Sequence, residues 1–217
     1  MSSPAEPIAG RPIILALTGS IGMGKSETSK MFRAFGIPVY DADAAVHGLY
    51  DRGGKAVGPI GALFPEAIVD GAVDRARLSR ALAGDPGAWK KLEAVIHPLV
   101  AEVQRDFLVA EIERGSPLVV LDIPLLFETG GHHRADYVAV VSAPPHVQRR
   151  RVLDRPGMTE EKLDEILSRQ MADAAKREGA DFVIPTDQGL DMAREHVERL
   201  IETLLNNPPP KRTERLA

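Results

Sequence analysis

No cysteine occurs among the 217 residues. That excludes disulfides, thiolate metal sites and a cysteine nucleophile, and it suits a cytoplasmic setting where thiols stay reduced. No apolar run approaches the ~18 residues that would span a bilayer, so no membrane association is expected. Residues 1–11 are polar, with Pro4 and Pro7, and lack the apolar core of a signal peptide. Basic residues are not in excess. There are 27 against 31 acidic, a net charge of −4, so bulk electrostatics recommends no nucleic-acid partner. The six histidines are scattered, with only His132 and His133 adjacent, and no zinc spacing appears. There is no internal repeat and no Asn-Lys-x-Asp motif of the kind that reads guanine.

What is present is a complete phosphate-binding loop. Residues 19–26 read Gly-Ser-Ile-Gly-Met-Gly-Lys-Ser, the pattern G-x-x-x-x-G-K-S. It follows an apolar run, 13–17, and precedes a helix-like stretch, 27–35, which is the strand–loop–helix context that the motif needs. Gly19, Gly22 and Gly24 have no Cβ, so backbone N–H groups from Gly19 through Ser20, Ile21, Gly22, Met23 and Gly24 can wrap a polyphosphate. The helix opening at Lys25 adds the positive end of its dipole. Lys25 can bring a cation to the β- and γ-phosphates, and Ser26 a hydroxyl to Mg²⁺. The chain is therefore read as binding a nucleoside triphosphate.

A 44% hydrophobic, 27% charged composition is that of a globular protein. Strand candidates are 13–17, 37–40, 118–123, 137–141 and 182–184, with helical spacing between several of them. This alternation predicts an α/β fold in which helices cover a parallel sheet. The interval 44–115 shows helix signals and no convincing strand. Asp74 is the expected N-cap of a helix over 76–83, and Pro98 fits the first turn of a helix running to about 112 and stopped by Gly115. A second helical insertion, 144–176, holds Arg149, Arg150, Arg151, Arg155 and Arg169. Residues 1–11 and 206–217 are read as loose tails.

Ligands of open α/β sheets gather beyond the carboxyl ends of the strands. Asp41, Asp43 and Asp122 stand there. One of Asp41 and Asp43 is expected to cap the following helix and the other to act on an acceptor hydroxyl. Asp122 closes an apolar strand as a Walker-B aspartate does and is a candidate partner of the metal. Ile123 follows it where many ATP hydrolases carry an acidic residue that activates water, which favours transfer to an acceptor. A run of three arginines is ordinarily a solvated helix face, so one or two of Arg149–Arg151 are expected to matter. Arg151 and Arg155, one helical turn apart, could point the same way and close over ATP.

The segments 14–26, Asp-Ala-Asp (41–43), Leu-Glu-Ala-Val-Ile-His-Pro (92–98) and Asp-Ile-Pro-Leu-Leu-Phe-Glu (122–128), in that order, resemble the dephospho-coenzyme A kinase family. The resemblance covers about 11–205. It implies a three-layer P-loop fold with a five-stranded parallel sheet. The core would span 12–43, 116–143 and 177–205, with a helical acceptor-binding insertion at 44–115 and a helical lid at 144–176. It implies transfer of phosphate from Mg²⁺–ATP to the ribose 3′-hydroxyl of dephospho-coenzyme A, in a monomer or weak homo-oligomer. Asp43 would be the base, Lys25 and the loop would hold ATP, and Ser26 and Asp122 the metal. Thr18 would stand at the loop's entrance, and His97, Leu125 and Phe127 would meet the acceptor. Arg155 and Arg151 would be lid arginines. Thr186 stands where the family pattern has an Asn facing the adenine, and Ser20 where it has a second glycine. Two other readings share the phosphate loop: a different small-molecule kinase, acting on a nucleoside, a nucleotide or shikimate, and a non-catalytic nucleotide-binding regulator.

Overall fold

Alternate residues of the first strand, β1 (Ile13–Thr18), enter opposite faces of one sheet. Leu15 and Leu17 join one core cluster and Ala16 another, as the period of two in an extended chain requires. The computed structural model describes residues 11–212. After β1 come α1 (Lys25–Ala34), β2 (Val39–Asp41), α2 (Ala42–Tyr50), α3 (Val57–Leu63), β3 (Ile68–Val69), β4 (Ala72–Val73), α4 (Arg75–Leu82) and α5 (Pro86–Glu113). Then follow β5 (Leu118–Asp122), β6 (Tyr137–Ser142), α6 (Pro145–Leu153), α7 (Glu160–Ser168), α8 (Asp173–Glu178), β7 (Phe182–Pro185) and α9 (Leu190–Asn206). Five strands form one sheet in the order β2-β5-β1-β6-β7. β1 pairs in parallel with β5 and β6, and β6 with β7.

Both faces of this sheet are covered, which is why its strands read as unbroken apolar runs. One face packs Leu15, Leu17, Tyr137, Ala139 and Val141 against Phe32 of α1 and Val197, Leu200 and Leu204 of α9. The other packs Ala16, Val138 and Val140 against Leu126 and Ala135, with Phe127 and Ala180 at its margin. β2 begins later than expected. Gly36, at φ 77°, turns the chain out of α1, and the Ile37 amide donates to the Phe32 carbonyl at 3.1 Å. Ile37 thus serves the helix end before the strand starts.

The described residues divide into two compact units, 11–40 with 111–212, and 41–110. The second unit has its own core of Leu49, Ile60, Phe64, Leu78, Leu82, Leu92 and Ile96. Two expectations for this region are corrected. It contains strands, the hairpin β3–β4, joined through Asp70 (φ 50°) and Gly71 (φ 79°). An Asp-Gly pair with positive φ at both positions is the favoured two-residue hairpin turn, but two-residue strands are too short to leave a periodic signal. Pro98 lies inside α5 and does not begin a helix. The helix begins at Pro86 after Asp85, whose Oδ1 accepts from the Gly87 and Ala88 amides at 2.8 and 3.1 Å. An interior proline costs roughly 3 kcal/mol; burial of Ala88, Leu92 and Ile96 along one face offsets it. Gly115 (φ 69°) ends the helix as read, and Asp74 caps α4 by accepting from the Arg77 amide at 2.9 Å.

The tail expectation is corrected where the chain is described. Tyr137 Oη donates to the Pro209 carbonyl at 2.5 Å, Lys211 pairs with Asp136 at 3.5 Å, and Arg212 pairs with Asp181 at 2.7 Å. Asp136 also receives Arg11 at 2.8 Å. The remaining tail residues, 1–10 and 213–217, lie outside the described residues. Among the described residues no helix is long and apolar enough to cross a membrane.

Candidate active site

β1 delivers the chain into the phosphate loop at Thr18, a buried residue whose hydroxyl donates to the Pro124 carbonyl at 3.0 Å. This bond ties the loop's entrance to the segment following β5. At Gly19 a Cβ would lie 2.3 Å from Val141 Cγ2, and at Gly22 2.5 Å from Val152 Cγ2. Gly22 and Gly24 also have φ values of 77° and 97°, which side chains resist. Met23 packs its buried side chain into the sheet core, and Ser20 is buried as well. The loop's first half is braced from outside. Gln148 Nε2 of α6 donates to the Ile21 carbonyl at 2.8 Å, and the Ile21 amide donates to Gln170 Oε1 at 3.2 Å.

The centre of the site is Asp122, 3% exposed at the end of β5. Its Oδ1 accepts from Lys25 Nζ and its Oδ2 from Ser29 Oγ. A carboxylate so buried requires such partners. Ser26 is exposed at the start of α1. A hydroxyl and a carboxylate are the oxygen donors that suit Mg²⁺, an ion that is usually held by one or two protein groups together with substrate phosphates. The described residues contain no group of three or more His, Cys, Asp or Glu that could hold a metal.

Of the arginine run, Arg151 reaches the loop. Its Nη1 donates to Thr186 Oγ1 at 3.0 Å and its Nη2 to the Thr186 carbonyl at 2.5 Å. Thr186 is itself buried, and its hydroxyl donates to the Met23 carbonyl at 2.7 Å. At the position where the family pattern has an Asn, the Thr186 hydroxyl is thus engaged on the loop's own backbone, close to Gly24, where a Cβ would meet it at 3.2 Å. Arg155 is exposed beyond α6, and Arg149 turns to the Glu160 and Asp164 carboxylates of α7.

Leu125 is 42% exposed after β5. Phe127 is turned inward, its ring 5.1 Å from that of His132 and against Gly179. Glu128 pairs at 2.9 Å with Lys176, a fully buried lysine of α8. Burial opposes the Glu128 charge, but the Lys176 ammonium and the Glu128 and Met171 amides outweigh it and hold the carboxyl below the usual range.

In the second unit Asp41 proves to be the cap. Its Oδ1 accepts from the Ala44 amide at 2.9 Å, leaving Asp43 exposed in the first turn of α2. His47, one turn on, donates from Nδ1 to the Asp43 carbonyl at 2.9 Å and accepts from Arg75 at Nε2. His97 is exposed in the middle of α5, not at a helix start.

Reading the sequence missed Ser29, Gln148, Gln170 and His47. Ser29 was within reach, since it lies four residues after Lys25 and so shares its helix face. Gln170 carries no comparable signal.

A sequence profile described as dephospho-CoA kinase matches residues 13–191. A dephospho-CoA kinase from Mesorhizobium japonicum is 55% identical over 88% of this chain and 96% of its own. One from Rhodopseudomonas palustris is 50% identical over 90% of this chain and 98% of its own. Among solved structures, TT1252 from Thermus thermophilus superposes with a TM-score of 0.78 at 36% identity, covering 91% of this chain and all of that one.

Proposed function

The chain belongs to the dephospho-CoA kinase family, and on that premise we propose that it transfers the γ-phosphoryl group of ATP to the ribose 3′-hydroxyl of dephospho-coenzyme A. The products are coenzyme A and ADP, and the step is the last of coenzyme A synthesis. The observation that carries this reading is the loop 19–26 with its Lys25 seated on the Asp122 carboxylate at the end of β5.

Phosphoryl transfer asks a protein mainly for positioning and for stabilising spread negative charge. The loop amides and the amino end of α1 would hold the ATP phosphates, and Lys25 would exchange Asp122 for a phosphate oxygen or share both. Ser26 and Asp122 would hold a Mg²⁺ ion, which neutralises charge on the phosphates when bound. Asp43 would orient the acceptor hydroxyl and take its proton, help worth ~10²–10⁴-fold in rate. Arg155 would close on the phosphates as a lid residue. Arg151, held by Thr186, would keep the loop in shape. His97 and Leu125, exposed in their units, would meet the acceptor. Phe127, turned inward, would support Leu125 from behind. A chain without cysteine suits the cytoplasm, where we place the reaction, carried out by a monomer or weak homo-oligomer.

A substrate panel tests the proposal. With Mg²⁺ and ATP, ADP formation should require dephospho-coenzyme A, and a nucleoside, a nucleotide or shikimate should not replace it. Faster ADP formation with one of the latter would reassign the substrate.

A further inference from the structure

Ser29 belongs to neither the loop motif nor any acceptor segment, yet it is 1% exposed and its hydroxyl is spent on Asp122. A serine inside a helix ordinarily bonds the carbonyl four residues back. Its neighbour Thr28 does so, donating to the Gly24 carbonyl at 3.2 Å. Ser29 instead reaches across from α1 to β5. Lys25 and Ser29, at i and i+4 on one face of α1, take one carboxylate oxygen each.

These two partners differ in what nucleotide binding asks of them. Lys25 is a cation that phosphates would draw away from Oδ1. Ser29 is neutral, buried and needed by no phosphate, so it can stay on Oδ2 throughout. We propose that Ser29 is a positioning residue for metal binding. By fixing the Asp122 carboxylate through Oδ2, it would keep Oδ1 available to the Mg²⁺ that Asp122 and Ser26 would hold once the nucleotide binds. The inference rests on the kinase reading above. Removing a hydrogen-bond partner behind a metal-binding group typically costs 10–100-fold in metal affinity or activity.

The test measures ATP affinity by calorimetry with Mg²⁺ and with chelator, in wild type, Ser29→Ala, Ser29→Cys and Ser29→Thr. The readout is the ratio of the two affinities, which a purely structural role would leave unchanged because both would shift together. Ser29→Ala should shrink the wild-type ratio ~10-fold or more and raise half-saturating Mg²⁺ in the kinase assay to match, with the acceptor KM unchanged. Ser29→Thr, which keeps the hydroxyl, should restore the ratio. Ser29→Cys preserves size with a weak donor and should fall between, and it decides the matter alone should Ser29→Ala fail to fold. A wild-type ratio in the Ala or Cys variant overturns the inference. Acceptor-dependent ADP formation by wild type is read in parallel, so that failure of the Ser29 inference and failure of the kinase reading are told apart.

Discussion

Arg151 donates to the backbone carbonyl of Thr186 at 2.5 Å, and the Thr186 hydroxyl donates in turn to the carbonyl of Met23 at 2.7 Å. An arginine of α6 is thereby linked through one buried threonine to the middle of the phosphate loop. The arrangement makes Arg151 a brace of the nucleotide site.

Arg151→Ala should therefore raise the KM for ATP more than it lowers kcat. Loss of hydrogen bonds from a charged donor, about 1.5–3 kcal/mol, corresponds to a rise of roughly 10- to 150-fold. Arg151→Lys should restore little, because an ammonium cannot span the hydroxyl and the carbonyl as the guanidinium fork does. Steady-state kinetics over ATP concentration checks this. A fall in kcat at unchanged KM would point to transition-state contact instead.

Lys25→Ala should weaken both ATP binding and turnover, and it should also destabilise the nucleotide-free protein by up to about 3 kcal/mol, since Asp122 keeps its burial and loses its cation. Adding Asp122→Asn should recover part of that stability and none of the activity. Denaturant melts of the two variants measure the effect. Equal stability of wild type and Lys25→Ala would show that the ion pair does not matter to the fold.

Glu128 should make the protein acid-sensitive. Its carboxyl is held below the ordinary glutamate value of 4.5. Its contribution is thus fully present above that value and is lost as pH falls through the lower folded value. Stability measured by denaturant between neutral pH and pH ~3 should fall less steeply for Glu128→Gln than for wild type, from a lower starting point. Parallel curves would remove the Glu128–Lys176 pair from the acid response.

Asp43→Asn should fold and bind ATP with unchanged affinity while turnover drops by ~10²-fold or more, the scale of general-base help. Near-normal turnover would take Asp43 out of the mechanism.

The sheet and the loop were legible in the sequence because their signals are local. The five strands of the sheet appear as short apolar runs, and the motif 19–26 is contiguous. The Asp41–Asp43 alternative was legible as a choice, and its capping half was answered when Asp41 bonded the Ala44 amide. What could not be read depends on contacts far apart in the chain. Thr186 lies 163 residues from the Met23 carbonyl it bonds, and Gln170 lies 149 from the Ile21 amide. Pro98 misled because proline's preference for a first turn is weaker than the burial of the apolar face on which α5 continues. The β3–β4 hairpin announced itself only by Asp70-Gly71.

The most direct test of the central claim is the stoichiometry of phosphate transfer. Purified protein with Mg²⁺ and ATP is incubated with and without dephospho-coenzyme A. ADP is quantified, and the acceptor is identified by mass and by fragmentation at the ribose. The account predicts ADP only when acceptor is present, matched one for one by acceptor carrying a single added phosphoryl group on the 3′-oxygen. ADP formed equally without acceptor, or ATP binding with no ADP at all, would contradict it.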